Sequence, residues 1–167
     1  MTAYLGLGAN AADRLAALRS AVGALEDRAG RVVAFSFVYQ TEAWVLPGAP
    51  PQRDHLNAVA AVETDLEVGR LLEVVQQIER DAGRDPAAPR WSPRPLDIDV
   101  LLYGDLEVAR PGLTVPHPAL ADRRFVLVPL ADVAPGLEVV GTGATVADLL
   151  ERCSDTLRVE RTDLSLR

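Results

Sequence analysis

Apolar positions recur along this chain with two different periods, and the switches between them mark out the elements. Thr2 to Leu7 is a short apolar run that predicts a buried strand, and Asp13 to Ala29 carries Leu15, Leu18, Val22 and Leu25 at helical spacing before Gly30 ends it. Arg31 to Trp44 is rich in valine, phenylalanine and tyrosine, and His55 to Leu66 alternates again. Two strands therefore flank the loop Val45 to Asp54, which holds three prolines. Val68 to Ala82 repeats Leu71, Leu72, Val75 and Ile78 on one helical face, followed by Gly83 and a second proline-rich loop, Asp85 to Pro95. Leu96 to Leu102 predicts another strand, Pro116 to Pro135 a turn, a short helix and a buried segment, and Thr145 to Cys153 a last short helix.

The order strand, helix, strand, strand, helix, strand predicts an α+β fold, a ferredoxin-like βαββαβ antiparallel sheet with both long helices on one face and additions at the C-terminus. Gly6-Leu7-Gly8-Ala9-Asn10-Ala11 fits the G-x-G-x-x-G/A dinucleotide fingerprint. A dinucleotide fold needs continued strand and helix alternation, however, and here two strands follow one another directly. The two glycines are read instead as permitting a tight strand-to-helix turn, with close approach to a substrate as the alternative.

Composition narrows the class. At 167 residues the chain is expected to form a single domain, 1–167. No apolar run approaches the roughly 18 residues of a membrane span, and the N-terminus lacks a secretory pattern, so a cytoplasmic protein with no membrane partner is expected; a monomer is expected, though these features do not fix the oligomeric state. The single cysteine, Cys153, reads as a packing residue. A net charge of −7 argues against nucleic acid as a partner. All 17 basic residues are arginine. The absence of lysine excludes a Walker A loop, a Schiff-base enzyme and a lysine general base, so any phosphate must be held by guanidinium, backbone or metal.

The chemistry concentrates between Arg84 and Asp99. If Leu96 to Leu102 is a strand, Leu96, Ile98, Val100 and Leu102 point to one side while Asp97 and Asp99 point together to the other. Two carboxylates on one face repel unless a cation or solvent separates them. With Arg84, Arg90 and Arg94 nearby, they suggest a polyphosphate bridged by Mg²⁺. His117, in a proline-flanked turn, either donates to a phosphate or caps the turn. Only two histidines are present, which favours an oxygen-ligated magnesium site over zinc. Asn57 shares a strand face with His55 and suits either a heterocycle's amide edge or the polar rim of a strand. Phe125 suits a flat ring or the core.

These residues carry a resemblance. Arg90-Trp91-x-Pro93-Arg94-x-Leu96-Asp97-x-Asp99, with Leu113 to His117, Asp122 to Phe125, Tyr4 to Asn10, Tyr39-x-Thr41, Leu56-Asn57 and Glu79 to Arg84, resembles the 6-hydroxymethyl-7,8-dihydropterin pyrophosphokinases of folate biosynthesis, over Tyr4 to about Pro135. The resemblance implies transfer of the β,γ-diphosphate of ATP to the hydroxymethyl oxygen of the reduced pterin, leaving AMP. It implies Asp97 and Asp99 as ligands of two Mg²⁺ ions and, with Arg84 and Arg94, as the catalytic set. Arg84, Trp91, Arg94, Val100, Thr114, His117 and Arg123 would contact ATP. Thr41, Ala43, Trp44, His55, Asn57, Asp97 and Phe125 would line the pterin side, and the two proline-rich loops would close as lids. His55 departs from the family's usual hydroxylated aromatic, which would make pterin affinity depend on pH. The neutral run Pro86 to Pro89 and Gly112 replace basic residues found in other members. Two rival classes remain, a nucleotidyl or nucleotide-sugar transferase with paired aspartates and a ligand-binding regulatory module that needs no such constellation.

Overall fold

The computed structural model describes residues 1–11, 13–43, 52–85, 87 and 92–167. The chain runs β1 (Thr2–Ala9), α1 (Arg14–Arg28), β2 (Arg31–Phe35), β3 (Tyr39–Thr41), β4 (His55–Glu63), α2 (Val68–Asp81), β5 (Asp97–Tyr103), β6 (Val108–Arg110), β7 (Leu113–Val115), α3 (Arg124–Val133), β8 (Glu138–Val139), β9 (Ala144–Thr145), α4 (Val146–Arg152) and β10 (Val159–Arg161). The main sheet is antiparallel, in the order β10-β3-β4-β1-β5, with β2 also on β4. The pairs β6-β7 and β8-β9 form separate small ribbons.

Alternation along β1 sorts its side chains. Ala3, Leu5, Leu7 and Ala9 are buried with Leu18, Val22 and Leu25 of α1 and Leu71, Val75 and Ile78 of α2, so both long helices cover one face of the sheet. On the opposite face Val59, Leu101 and Leu102 pack with Val126, Leu127 and Leu130 of α3 and Val146 of α4. A central strand covered on both sides is buried along its length and mostly apolar, with Asn57 the polar member of the buried run. That accounts for the unbroken burial of β4 from Leu56 to Val62, where the sequence read as alternating. The helix starts follow local rules. Asp13 caps α1 by accepting from the Ala16 N–H at 3.1 Å, and Thr145 and Asp148 form a reciprocal capping box at α4. Gly30 has φ +144°, and a Cβ there would lie 2.2 Å from the Glu63 carbonyl oxygen, so only glycine lets the chain leave α1 and enter β2 alongside the end of β4.

Three expectations are corrected. The strand predicted over Arg31 to Trp44 is two strands on the same edge of β4. Ser36 in the gap satisfies the local backbone, its N–H donating to the Val59 carbonyl at 2.8 Å and its hydroxyl accepting from the Val59 N–H at 2.9 Å. Leu102 does not share a face with Leu96, Ile98 and Val100. The register of β5 against β1 shifts between Tyr4 and Leu5, and the extra residue turns Leu102 toward the second core with Leu101 while Tyr103 returns to the first. The Pro116 to Pro135 stretch holds the expected turn and short helix, but the buried segment is part of that one ten-residue helix, α3, which runs through Pro129; proline there cannot donate to the Phe125 carbonyl, and Pro129 is buried. Among the described residues no helix is long and apolar enough to cross a membrane.

Candidate functional site

Three neighbouring strands aim their polar or bare positions at one patch, on the face of the sheet opposite α1 and α2. The register aligns Asn57 of β4 with Gly8 of β1 and Gly8 with Asp97 of β5; one step further, Val59, Gly6 and Asp99 align in the same way. With strands about 4.8 Å apart, Asn57 and Asp97 stand about 10 Å from each other across a floor of bare glycine backbone. Gly6 and Gly8 therefore lie inside β1 and not in the strand-to-helix turn assigned to them. A Cβ on Gly8 would sit 2.8 Å from Asn57 Oδ1, so the glycine leaves the Asn57 amide its place. Above this floor is a cavity of about 730 Å³, walled by His55, Arg94, His117, Arg123 and Phe125 among others.

At the acidic end, Asp97 Oδ1 accepts from both Arg84 and Arg94, each at 2.8 Å. The carboxylate pair is therefore not left to repel in the free protein, because two guanidinium groups share one oxygen of Asp97. Asp99 has no such partner among the described ion pairs, and burial first, then the charge of Asp97, holds its carboxyl above the usual range. His117 accepts from the Ala119 N–H at its Nδ1 (3.2 Å), which leaves the Nε2 proton as donor in the neutral ring; burial lowers its pKa against the opposing pull of Asp99. Arg123 lies 5.8 Å from the Phe125 ring centroid, at the start of α3.

At the other end, Asn57 is 8% exposed and donates to the Thr41 hydroxyl at 2.6 Å. It sits on a central strand, which removes the polar-rim alternative. Phe125 faces the cavity from α3 while also packing at the margin of the second core, so both of its readings hold in part. His55 titrates low because of burial first, with Asp97 raising and Arg14 lowering its pKa. The folded state thus prefers the neutral ring, and the stability this contributes is present above pH 6.5 and lost as pH falls below it. The parent is expected to lose thermal stability faster than His55→Phe between about pH 6.5 and 5, with the two parallel above pH 7. Melting curves across that range check it; parallel curves throughout would remove His55 as the titrating group.

Some expected contacts fall elsewhere. Val100 is 6% exposed and packs in the core beneath the helices, so its side chain is turned away from the cavity; alternation along β5 demands this once Asp97 and Asp99 face in. Thr114 is exposed on the β6-β7 ribbon and does not line the cavity. Ala43 is half-buried beside Thr41 and Glu42, which do line it. Trp44, Arg90 and Trp91 lie outside the described residues, as does most of the run Pro86 to Pro89.

Two residues that stand in the resembling segments, Glu79 and Asn10, are given no role by sequence reasoning. Glu79, 4% exposed on α2, accepts from the Arg84 guanidinium and, at 2.8 Å, from the Ile98 N–H. It thereby ties Arg84 to the start of β5, and burial pushes its carboxyl up to about 7. Asn10, also 4% exposed, accepts from the Arg94 N–H at 2.7 Å while its own N–H donates to the Arg94 carbonyl at 3.1 Å. The available signal for Glu79 was its place as the sole acid on the apolar face of α2.

An acid pair and paired arginines beside a pocket with a flat floor suit a transferase of phosphoryl groups. Residues 4–135 match the family model for 7,8-dihydro-6-hydroxymethylpterin-pyrophosphokinase, and the chain belongs to that family. It is 44% identical over 162 residues to the 2-amino-4-hydroxy-6-hydroxymethyldihydropteridine pyrophosphokinase of Methylorubrum extorquens, covering 96% of this chain and 98% of that one. It is 38% identical over 143 residues to the enzyme of the same name from Bacillus subtilis, covering 85% and 83%. Among solved structures, a Plasmodium falciparum HPPK-DHPS chain crystallised with STZ-DHP superposes with a TM-score of 0.73 at 14% identity, over 90% of this chain. This chain spans 45% of that longer one, and the likeness concerns the fold. The protein is an ATP-dependent pyrophosphokinase of folate synthesis, and its family's defining reaction moves the β,γ-diphosphate of ATP to the pterin hydroxymethyl group, leaving AMP.

Proposed function

We propose that the transfer takes place across the row Asn57, Gly8, Asp97, with the pterin ring over the glycine floor and the triphosphate over Asp97 and Asp99. The observation that carries this reading is the register, which sets an amide-reading side chain and a carboxylate pair about 10 Å apart on one face with no side chain between them. Asn57 hydrogen-bonds the heterocycle's amide edge, with Thr41 fixing its orientation, and Phe125 and neutral His55 offer ring surfaces. Thr41 and Ala43 border this end, and Trp44 is assigned to the pterin with them. The hydroxymethyl group then points toward Asp97.

The donor set suits magnesium. Asp97 and Asp99 offer oxygens only, and no cluster of three or more acidic, histidine or cysteine ligands occurs among the described residues, which is the pattern of a site whose remaining ligands come from substrate phosphates and water. Two Mg²⁺ ions held there would lower the pKa of the attacking hydroxyl and offset charge on the phosphates. The chain's own groups do the positioning. Arg84 and Arg94, shared by Asp97 in the free protein, turn to the incoming phosphate oxygens. Neutral His117 donates from Nε2, and Arg123 adds charge from the head of α3. Trp91 is assigned to ATP with them, and any part that Val100 and Thr114 take in that contact falls to their main chain, since neither side chain lines the cavity.

The unit β1-α1-β2/β3-β4-α2-β5 is a ferredoxin-like βαββαβ sheet with C-terminal additions, in which β2 and β3 together serve as one strand. The whole chain acts as one domain and a cytoplasmic monomer; its substrates are small molecules, and its acidic charge suits neither nucleic acid nor an anionic membrane. Incubation with ATP, Mg²⁺ and 6-hydroxymethyl-7,8-dihydropterin should release AMP in step with the pterin diphosphate. ADP as the only nucleotide product, or free pyrophosphate without a diphosphorylated pterin, would overturn the reading.

A further inference from the structure

The family match ends at residue 135, yet the chain beyond it returns to the cavity. β10 adds to the sheet beyond β3, pairing Val159 with Thr41 and Arg161 with Tyr39, and the Glu42 N–H donates to the Arg158 carbonyl at 3.0 Å. The Arg158 guanidinium reaches Asp54, just before β4, at 2.8 Å, and Leu166 is buried in the first core. The segment is thus anchored at both ends, and the turn before β10 brings Ser154, Asp155 and Leu157 to the cavity wall.

Asp155 has a second task there. The N-cap residue of α3 is Arg123, whose side chain can only donate, so the helix lacks a cap of its own. Asp155 Oδ2 supplies one from a distance of 31 residues, accepting from the Arg124 N–H at 2.9 Å, while Oδ1 accepts from the Leu157 N–H at 2.9 Å. One carboxylate therefore joins the turn carrying Leu157 to the helix end carrying Phe125.

We propose that Ser154 to Arg161 forms a wall of the pterin side of the site, with Leu157 as a specificity-determining contact and Asp155 as the positioning residue for Phe125. This rests on assigning the Asn57 end of the cavity to the pterin. The segment shapes the ring pocket and leaves the phosphate end, on β5, untouched.

The test is steady-state kinetics on the full chain, varying pterin at saturating ATP and the reverse, for Leu157→Ala, Asp155→Ala, Asp155→Asn and, as a control, Asn57→Ala. Leu157→Ala and Asp155→Ala should each raise the pterin KM about fivefold or more, and Leu157→Ala should leave the ATP KM and the saturated kcat within about twofold of the parent. Asp155→Asn should recover only part of the loss, because its single amide oxygen can accept from Arg124 while its NH2 cannot accept from Leu157. If Asn57→Ala raises the pterin KM and Leu157→Ala does not, the wall is refuted while the pterin assignment stands. If neither moves it, the assignment itself fails and the inference with it. Equal rises in both KM values would make the segment a general structural support, again refuting it. Should Asp155→Ala melt below the assay temperature, Leu157→Ala decides alone.

Discussion

Asp99→Asn is expected to cut turnover by at least about 100-fold while leaving the free protein as stable as the parent or more so. Asp99 is held above the usual carboxylate range by burial and by Asp97, so ionising it in the folded state is uphill. The folded state then binds more protons than the unfolded chain as pH rises from 3.8 toward the shifted value, and stability falls across that window. Asparagine removes the penalty. The advantage of the variant should appear above about pH 4 and vanish in stronger acid, where the parent's carboxyl is already neutral. Asp97→Asn should match it in lost turnover but not in stability. Its carboxylate is the shared acceptor of Arg84 and Arg94, and losing half-exposed pairs of that kind costs about 1 kcal/mol or less. AMP formation and urea unfolding on both variants check this. Marked unfolding with retained specific activity would make the pair structural, and equal stability changes would contradict the asymmetry between them.

Arg94→Ala is the second large effect. Its main chain is clamped by Asn10 through bonds that do not involve the guanidinium, so the β5 approach should survive truncation. Arg84, backed by buried Glu79, remains beside Asp97. The expected result is a fall in kcat of about 100-fold or more, with pterin affinity changed by less than about threefold. Single-turnover kinetics with a separate pterin titration separate the two quantities. Equal losses in both would move Arg94 from the phosphates to the pterin.

The carboxylate pair shows how far local pattern reaches. Alternation alone puts Asp97 and Asp99 on one face, and the structure keeps them there. The same rule applied one turn further misplaced Leu102, because a bulge answers to the partner strand and leaves no mark in a run of valine and leucine. Glycines 6 and 8 are legible as special, with a turn and close approach to a substrate as the two readings. Their spacing suited a turn equally well, and only their pairing with Asn57 and Asp97 distinguishes the two. Thr114 and Val100 were carried in by resemblance to a motif, and the side-chain directions in this chain exclude both from the cavity.

Residues near in sequence set the periods, the caps of α1 and α4, the shared face of the two aspartates and the need for arginine at any phosphate; these follow from a few bonds' worth of geometry and from the absence of lysine. The distance from Asn57 to Asp97, the sharing of Asp97 between two arginines and the capping of α3 by Asp155 depend on contacts between distant segments. Strand register and core packing choose among those arrangements through many weak terms summed over the whole fold, and no short stretch of sequence contains that sum.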